Sequence, residues 1–332
     1  SEEFRSRMSS RRGSAGSVML IGLVTRSAYP VRQESADRVL DRVGLEDDDE
    51  ELEARCLIAF SVAIADHLIA ADHGTQEWLR HRRRQGDAIV LGGYDDAANG
   101  LSSYFVWLNR GKESVTLNLK SPAGMEVLHR LLDGADAFVS NLAPGATARL
   151  GLSPADLTVR HPQVIPLEID GYGPGGPLSE KRAYDLLVQA ESGSCASTGY
   201  AGMPAKPGAA VADITTGLYS ALSIMALLLG RARHGDDGAA PSVAVSLFDT
   251  MTDIMGYQLT YTQHSGVDQI PLGMSSPAVA PYGSFATRDG QTVVLGTTND
   301  REWQRLAREI IERPDLADDP RFATNSDRCA HR

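Results

Sequence analysis

From Val115 onward the chain alternates between two hydrophobic rhythms. Val115, Leu117 and Leu119 recur at every second position, which predicts a strand. Ser121-Pro122 then opens a stretch with Val127, Leu128, Leu131 and Leu132 at helical spacing, and Gly134 closes it. Ala137-Phe138-Val139 reads as a short buried strand, followed by a loop through Asn141, Pro144 and Gly145. Ser153-Pro154 starts another helical turn. Val164-Ile165-Pro166-Leu167-Glu168-Ile169 is strand-like, and Pro166 suggests an edge or a bulge there. Strand, helix and strand at short spacing predict βαβ units and a parallel, helix-covered sheet.

The later pattern continues the theme. Residues 184–193 read as a helix and 192–208 as a loop. Asp213 is expected to cap a long apolar helix over 214–233, with small residues Gly217, Ser220 and Ala221 on a close-packing face. A strand over 242–247 and a helix over 248–263 follow. Arg288-Asp289-Gly290 marks a hairpin turn before Thr292-Val293-Val294-Leu295. Asp300 is expected to cap a helix through Trp303 and Leu306.

The first ninety residues differ. Residues 1–32 read as a disordered or tag-like tail, rich in Ser, Arg and Gly. Residues 33–93 read as a helical segment, with an apolar run over 52–69. The expected organisation is thus a tail (1–32), a helical segment (33–93), a large α/β domain (94–274) and the start of a smaller α+β domain (275–332). The apolar run at Val18-Met19-Leu20-Ile21-Gly22-Leu23-Val24 falls short of the roughly 20 residues that span a bilayer. It also lacks a small-x-small cleavage site, so no secretion and no membrane are expected.

Charge and cysteine content narrow the chemistry. A formal charge of −11 argues against a general nucleic-acid binder. Three scattered cysteines (Cys56, Cys195, Cys329) suit a reducing cytoplasm and neither a disulfide framework nor a Cys-based zinc site. His67 and His73 beside Asp66 and Asp72 match no ligand spacing, so no metal is expected. The basic run over 80–84 reads as a solvated helix end. Gly171-Tyr172-Gly173-Pro174-Gly175-Gly176-Pro177 follows a strand, and reads either as a plain tight turn or as a loop that can let a ligand approach the backbone closely. It is neither a dinucleotide fingerprint nor a phosphate-binding Walker loop.

Several motifs, in order, carry a family resemblance over residues 94–331. They are Leu108-Asn109-Arg110-Gly111-Lys112-Glu113-Ser114, Asn141-Leu142-Ala143-Pro144-Gly145 with Arg149-Leu150-Gly151, Gly171-Tyr172-Gly173, Ala183-Tyr184-Asp185, and Ala212-Asp213-Ile214-Thr215-Thr216-Gly217. Ala280-Pro281-Tyr282-Gly283 and Asp318-Asp319-Pro320-Arg321-Phe322 add to them. Together they resemble the family III coenzyme A transferases, the CaiB/BaiF group. The resemblance implies a Rossmann-like large domain, a small domain, and two chains interlocked as a homodimer. It places Asp213 at the catalytic aspartate, and Asn141, Arg149, Arg182, Ala183 and Tyr184 at positions that contact coenzyme A. Coenzyme A enters as substrate, with acyl-CoA and carboxylic acids as the small-molecule partners.

The implied chemistry needs no metal or redox group. A carboxylate attacks the thioester, and a covalent aspartyl intermediate carries the coenzyme A to an acceptor acid. Acyl-CoA racemases of the same fold are the alternative. The resemblance says that these use a His at the Tyr184 position, and a tyrosine with pKa about 10 suits proton abstraction badly. A non-catalytic family member is the other alternative, because residues 1–93 do not show the family's opening strand–turn–helix unit. His161 and His264 match no motif and read as surface groups.

Overall fold

A computed structural model of the chain describes residues 20–23, 117–235 and 238–331. The helical segment over 33–93, the basic run over 80–84, His67, His73 and the 108–114 motif lie outside the described residues.

Turn chemistry sets the first helix. Ser121 Oγ accepts the Gly124 N–H at 3.1 Å, Pro122 takes the first helical position, and α1 runs Pro122–Asp133. Gly124 is required there, because a Cβ would lie 2.3 Å from the Asn118 carbonyl oxygen. Leu117 and Leu119 approach α1 as coil and turn rather than as the expected strand. Leu117 nevertheless joins the buried cluster with Leu128, Leu132, Phe138, Leu152 and Leu157.

The sheet follows the predicted alternation. Strand β1 (Leu20–Leu23) lies within residues 1–32. It pairs in parallel with β2 (Ala137–Ser140), which satisfies the backbone groups on that side. β3 (Ile165–Asp170) and β6 (Val243–Ser246) complete a parallel sheet of order β1-β2-β3-β6. Pro166 is therefore on an internal strand, not at an edge. The alternation of a parallel ladder explains this. The Ile165 N–H points to β2 and reaches the Asp136 carbonyl at 2.9 Å, so the nitrogen of Pro166 faces the other side. There, pairing with β6 begins only at Leu167, and no ladder bond is lost.

Helices cover this sheet. α2 (Ala146–Arg149) and α3 (Pro154–Arg160) lie between β2 and β3 in the chain, and α3 closes its own start with a Ser153/Asp156 capping box. α4 (Asp185–Glu191), α5 (Ser194–Ser197) and the short hairpin of β4 (Gly199–Tyr200) and β5 (Met203–Pro204) follow. The long α6 (Val211–His234) packs on β3 and β6. By length and apolarity alone α6 could cross a membrane. Yet it buries Asp213, Thr215, Thr216 and Ser220 and exposes Leu218, Leu222, Met225 and Leu229. Its buried hydroxyls bond back to the helix carbonyls, and Thr216 also meets Thr250 at 2.8 Å. The helix expected over 248–263 is two helices, α7 (Leu247–Ile254) and α8 (Gly256–Ser265). They break at Met255, whose ψ of 7° leaves the helical basin next to Gly256.

The chain divides into two compact units. One takes Ser1–Val188 and Ala210–Asp253, the other Gln189–Ala209 and Ile254–Arg332. The second unit contains the hairpin of β7 (Tyr282–Ala286) and β8 (Thr292–Gly296), joined through the expected turn with Gly290 at φ +80°. α9 (Asp300–Arg305) is capped by Asn299, whose Oδ1 accepts the Glu302 N–H at 2.9 Å. Asp300 is not that cap; it pairs instead with the buried Arg328 guanidinium at 2.8 Å. α10 (Pro314–Ala317) and α11 (Asn325–Ala330) complete the unit, around a small core of Trp303, Ala307 and Ala317.

Candidate active site

In a parallel sheet every strand ends on the same edge, and the loops after those ends form the natural place for a ligand. Asn141 immediately follows β2 and is half-buried. Arg149 is the last residue of α2 and is exposed. Its Nη1 lies 3.1 Å from where a Cβ on Gly145 would stand, so the glycine leaves room for the guanidinium over the Asn141–Gly145 turn.

Beside these two residues lies a cleft of about 200 Å³, lined in part by Ser140, Thr147, Glu168, Asp170, Ser179 and Glu180. Thr147 donates to Glu168 Oε1 at 2.5 Å. Burial holds the Asp170 carboxyl above the usual carboxylate range, opposed by N–H donors from Gly173, at 2.5 Å, and Tyr172. Asp249 and Glu168 push it further up by like-charge repulsion. Sequence reasoning singled out none of these three side chains. Their signal was positional: Glu168 and Asp170 are polar residues at the carboxyl end of a buried strand.

The second group of expected residues gathers around the loop after β3. Arg182 is exposed, Ala183 is half-buried and Tyr184 is 50% exposed. A Cβ placed on Gly171 would stand 2.4 Å from the Ala183 Cβ, so this turn and the segment before α4 are in close contact. The Gly171 carbonyl also accepts the Phe248 N–H at 3.0 Å, which ties the turn to α7.

Asp213 is only 3% exposed. It is not the cap of its helix. α6 begins two residues earlier, at Val211, and Asp213 occupies the third helical position. Ala210, at the capping position, supplies no side-chain bond. The Ala212 N–H is taken instead by Asp185 Oδ1 at 3.0 Å, reaching across from α4. The physical reason is that α6 starts against other protein rather than in water, so a distant side chain can satisfy an amide that local sequence would assign to Asp213. A carboxylate in the first turn still gains from the positive end of the helix dipole. Among the described residues no cluster of three or more His, Cys, Asp or Glu is arranged to hold a metal ion.

His161 is a correction of another kind. It is 2% exposed rather than a surface group, and its Nε2 lies 2.9 Å from His129 Nδ1. His264 is exposed, as expected.

A parallel α/β sheet with an aspartate buried at the start of the helix behind it occurs in many proteins. Comparison with known families decides among them. The model of CoA-transferase family III matches residues 72–332. The chain belongs to that family. The match begins earlier than the motifs alone suggested. The chain is 36% identical over 238 residues to a succinate–glutarate CoA-transferase of Agrobacterium fabrum, covering 71% of this chain and 58% of the relative. It is 34% identical over 232 residues to an acetyl-CoA:oxalate CoA-transferase of Acetobacter aceti, covering 69% and 58%. It resembles the crystal structure of a CaiB/BaiF family protein from Brucella suis with a TM-score of 0.60 and 34% identity. That likeness covers 70% of this chain and 60% of that one. The chain thus spans somewhat under two thirds of the length of these family III relatives.

Proposed function

We propose that this protein transfers coenzyme A from an acyl-CoA to a carboxylic acid, with Asp213 as the covalent nucleophile. The observation that carries this reading is the burial of Asp213 in the first turn of α6, in a chain of CoA-transferase family III. The relatives that act on succinate, glutarate and oxalate support a small dicarboxylic acid as one substrate.

The Asp213 carboxylate attacks the thioester carbonyl, the C–S bond breaks, and coenzyme A leaves as thiolate from a mixed anhydride. The thiolate then attacks the aspartyl carbonyl of that anhydride. This forms an aspartyl thioester and releases the donor acid as carboxylate. The acceptor carboxylate attacks the aspartyl thioester, giving a second anhydride and the thiolate again. Attack of the thiolate on the acceptor's acyl carbonyl forms the new acyl-CoA and restores the aspartate. Charge and atoms balance without a metal, an oxidant or a proton donor. Each oxyanion on the way calls for nearby amide donors from a glycine-bearing loop. Asn141, Arg149, Arg182, Ala183 and Tyr184 form the proposed coenzyme A contacts, with the arginines suited to its phosphates. Tyr184 in place of a histidine favours transfer over racemisation.

Calorimetry with coenzyme A and an exchange assay with labelled coenzyme A test the reading. Millimolar coenzyme A is expected to bind, and no heat at that concentration overturns the reading. Asp213→Ala is expected to lose exchange by a factor on the order of 10⁴ or more while still binding coenzyme A. An alanine variant with parental exchange removes Asp213 as nucleophile. The same reading takes the working form as a homodimer in the cytoplasm, and light scattering on the purified chain checks the dimer.

A further inference from the structure

The start of α6 carries a feature that the transfer chemistry does not by itself require. Two other helices of this protein close their own first turns with capping boxes, α3 through Ser153 and Asp156 and α11 through Thr324 and Asp327. α6 does not. Its capping position is Ala210, without a side-chain bond, and the Ala212 N–H is held by Asp185 Oδ1 at 3.0 Å, 27 residues away in sequence. Asp185 is the first residue of α4 and follows Tyr184 directly.

We infer that Asp185 is a positioning residue for Asp213, acting through the Ala212 amide. The inference rests on Asp213 as the nucleophile. Ala212 and Asp213 are adjacent, so the backbone that Asp185 grips lies one Cα step, about 3.8 Å, from the Cα of the reacting residue. The first turn of a helix is where fraying starts, because its amides have no helical partners. Thr215 Oγ1 on the Val211 carbonyl, at 2.8 Å, and the Ile214 N–H on the Ala210 carbonyl, at 2.9 Å, hold other atoms of this turn but leave the Ala212 amide to Asp185. The bond also couples two parts of the proposed site. The strand-end turn at Gly171 touches Ala183, the chain passes through Tyr184, and Asp185 carries that placement into α6. Displacement of a reacting group by about 1 Å can lower a rate on the order of 100-fold, so a grip this close matters to turnover.

The test measures hydrogen exchange at the Ala212 amide and steady-state transfer kinetics on the full chain. The variants are Asp185→Ala, which removes the acceptor, and Asp185→Asn, which keeps it and removes the charge. The alanine variant is expected to exchange the Ala212 amide faster and to lose kcat on the order of 100-fold, with KM for acyl-CoA nearly unmoved. The asparagine variant is expected to restore most of both. Where the alanine variant folds poorly, Asp185→Glu displaces the acceptor by one methylene, and fast exchange with low kcat is expected of it too. An unchanged Ala212 amide in the alanine or glutamate variant overturns the inference whatever the activity. So does fast exchange with parental kcat, or an asparagine variant as slow as the alanine one. An Asp213→Ala protein that keeps parental transfer instead sinks the nucleophile itself, with the exchange result on Ala212 still standing as the record of the cap.

Discussion

The two units of this chain use strands in opposite ways. In the first, β2 is buried throughout and β3 at four of its six positions, in a parallel sheet that α3 and α6 pack against and whose Phe138 joins the α1 cluster. In the second, β7 and β8 form a two-stranded ribbon that leaves Tyr282, Val293 and Val294 exposed. An isolated ribbon gains little from its own pairing. The second unit adds one buried cation to its small apolar core of Trp303, Ala307 and Ala317. Arg328 donates to the Ala280 carbonyl at 2.8 Å and the Phe322 carbonyl at 3.0 Å, pairs with Asp300, and lies over the Trp303 ring. Apolar area dominates the first unit, whereas the second joins a small apolar core to a hydrogen-bonding hub. The difference shows how the ends of the buried strands are placed. A residue at the end of a buried strand inherits its position from the packing behind it, and Asn141, Asp170 and Gly171 stand at such ends.

The comparison can be broken at either side. Phe138→Ala, in the core of the sheet, is expected to lower the stability of the first unit by about 3–5 kcal/mol in chemical denaturation. A loss below 1 kcal/mol would deny that apolar area dominates there. Arg328→Met keeps much of the apolar stem and removes the hub. About 2–3 kcal/mol of loss is expected from the second unit, read by proteolysis of the 254–331 region. A smaller effect follows acidification, and it belongs to the first unit alone. Burial lowers the pKa of both His129 and His161, helped at His129 by Arg160 and by its partner histidine and opposed by Glu126 and Asp133. Below the ordinary histidine pKa of about 6.5 the unfolded chain then binds more protons than the folded one. Stability should therefore fall as pH drops through about 6.5 toward the lowered folded values, and His161→Gln should flatten that slope. Melting curves from pH 7.5 to 5 check this. Smallest of all, Val294→Thr on the exposed face of β8 is expected to stay within about 0.5 kcal/mol of the parent.

Much of this was legible in the chain. The strand and helix rhythm located β2, β3, β6, α1 and the β7–β8 hairpin, because those elements are bounded by Pro, Gly and Ser whose backbone preferences act locally. The motif order identified the family. What escaped was decided at a distance. Pro166 reads as an edge residue until one knows that β6 begins only opposite Leu167. Asp213 reads as a cap until Asp185 arrives from another helix. His161 reads as a surface group until it meets His129 and the Asp133 carboxylate, 3.1 Å away. In each case the partner lies far along the sequence, and no window on local composition contains it.

The contact between Gly171 and Ala183 has a consequence for how this protein can vary. The two positions share one small volume, and the smallest side chain already sits at 183 among residues that have a Cβ. No enlargement at 171 can be matched by a reduction at 183 short of a second glycine. In a library that randomises both positions together, the survivors should form a narrow set of size-matched pairs. The tolerated diversity of this turn is then set by a steric sum over two sites, and neither site has a substitution profile of its own.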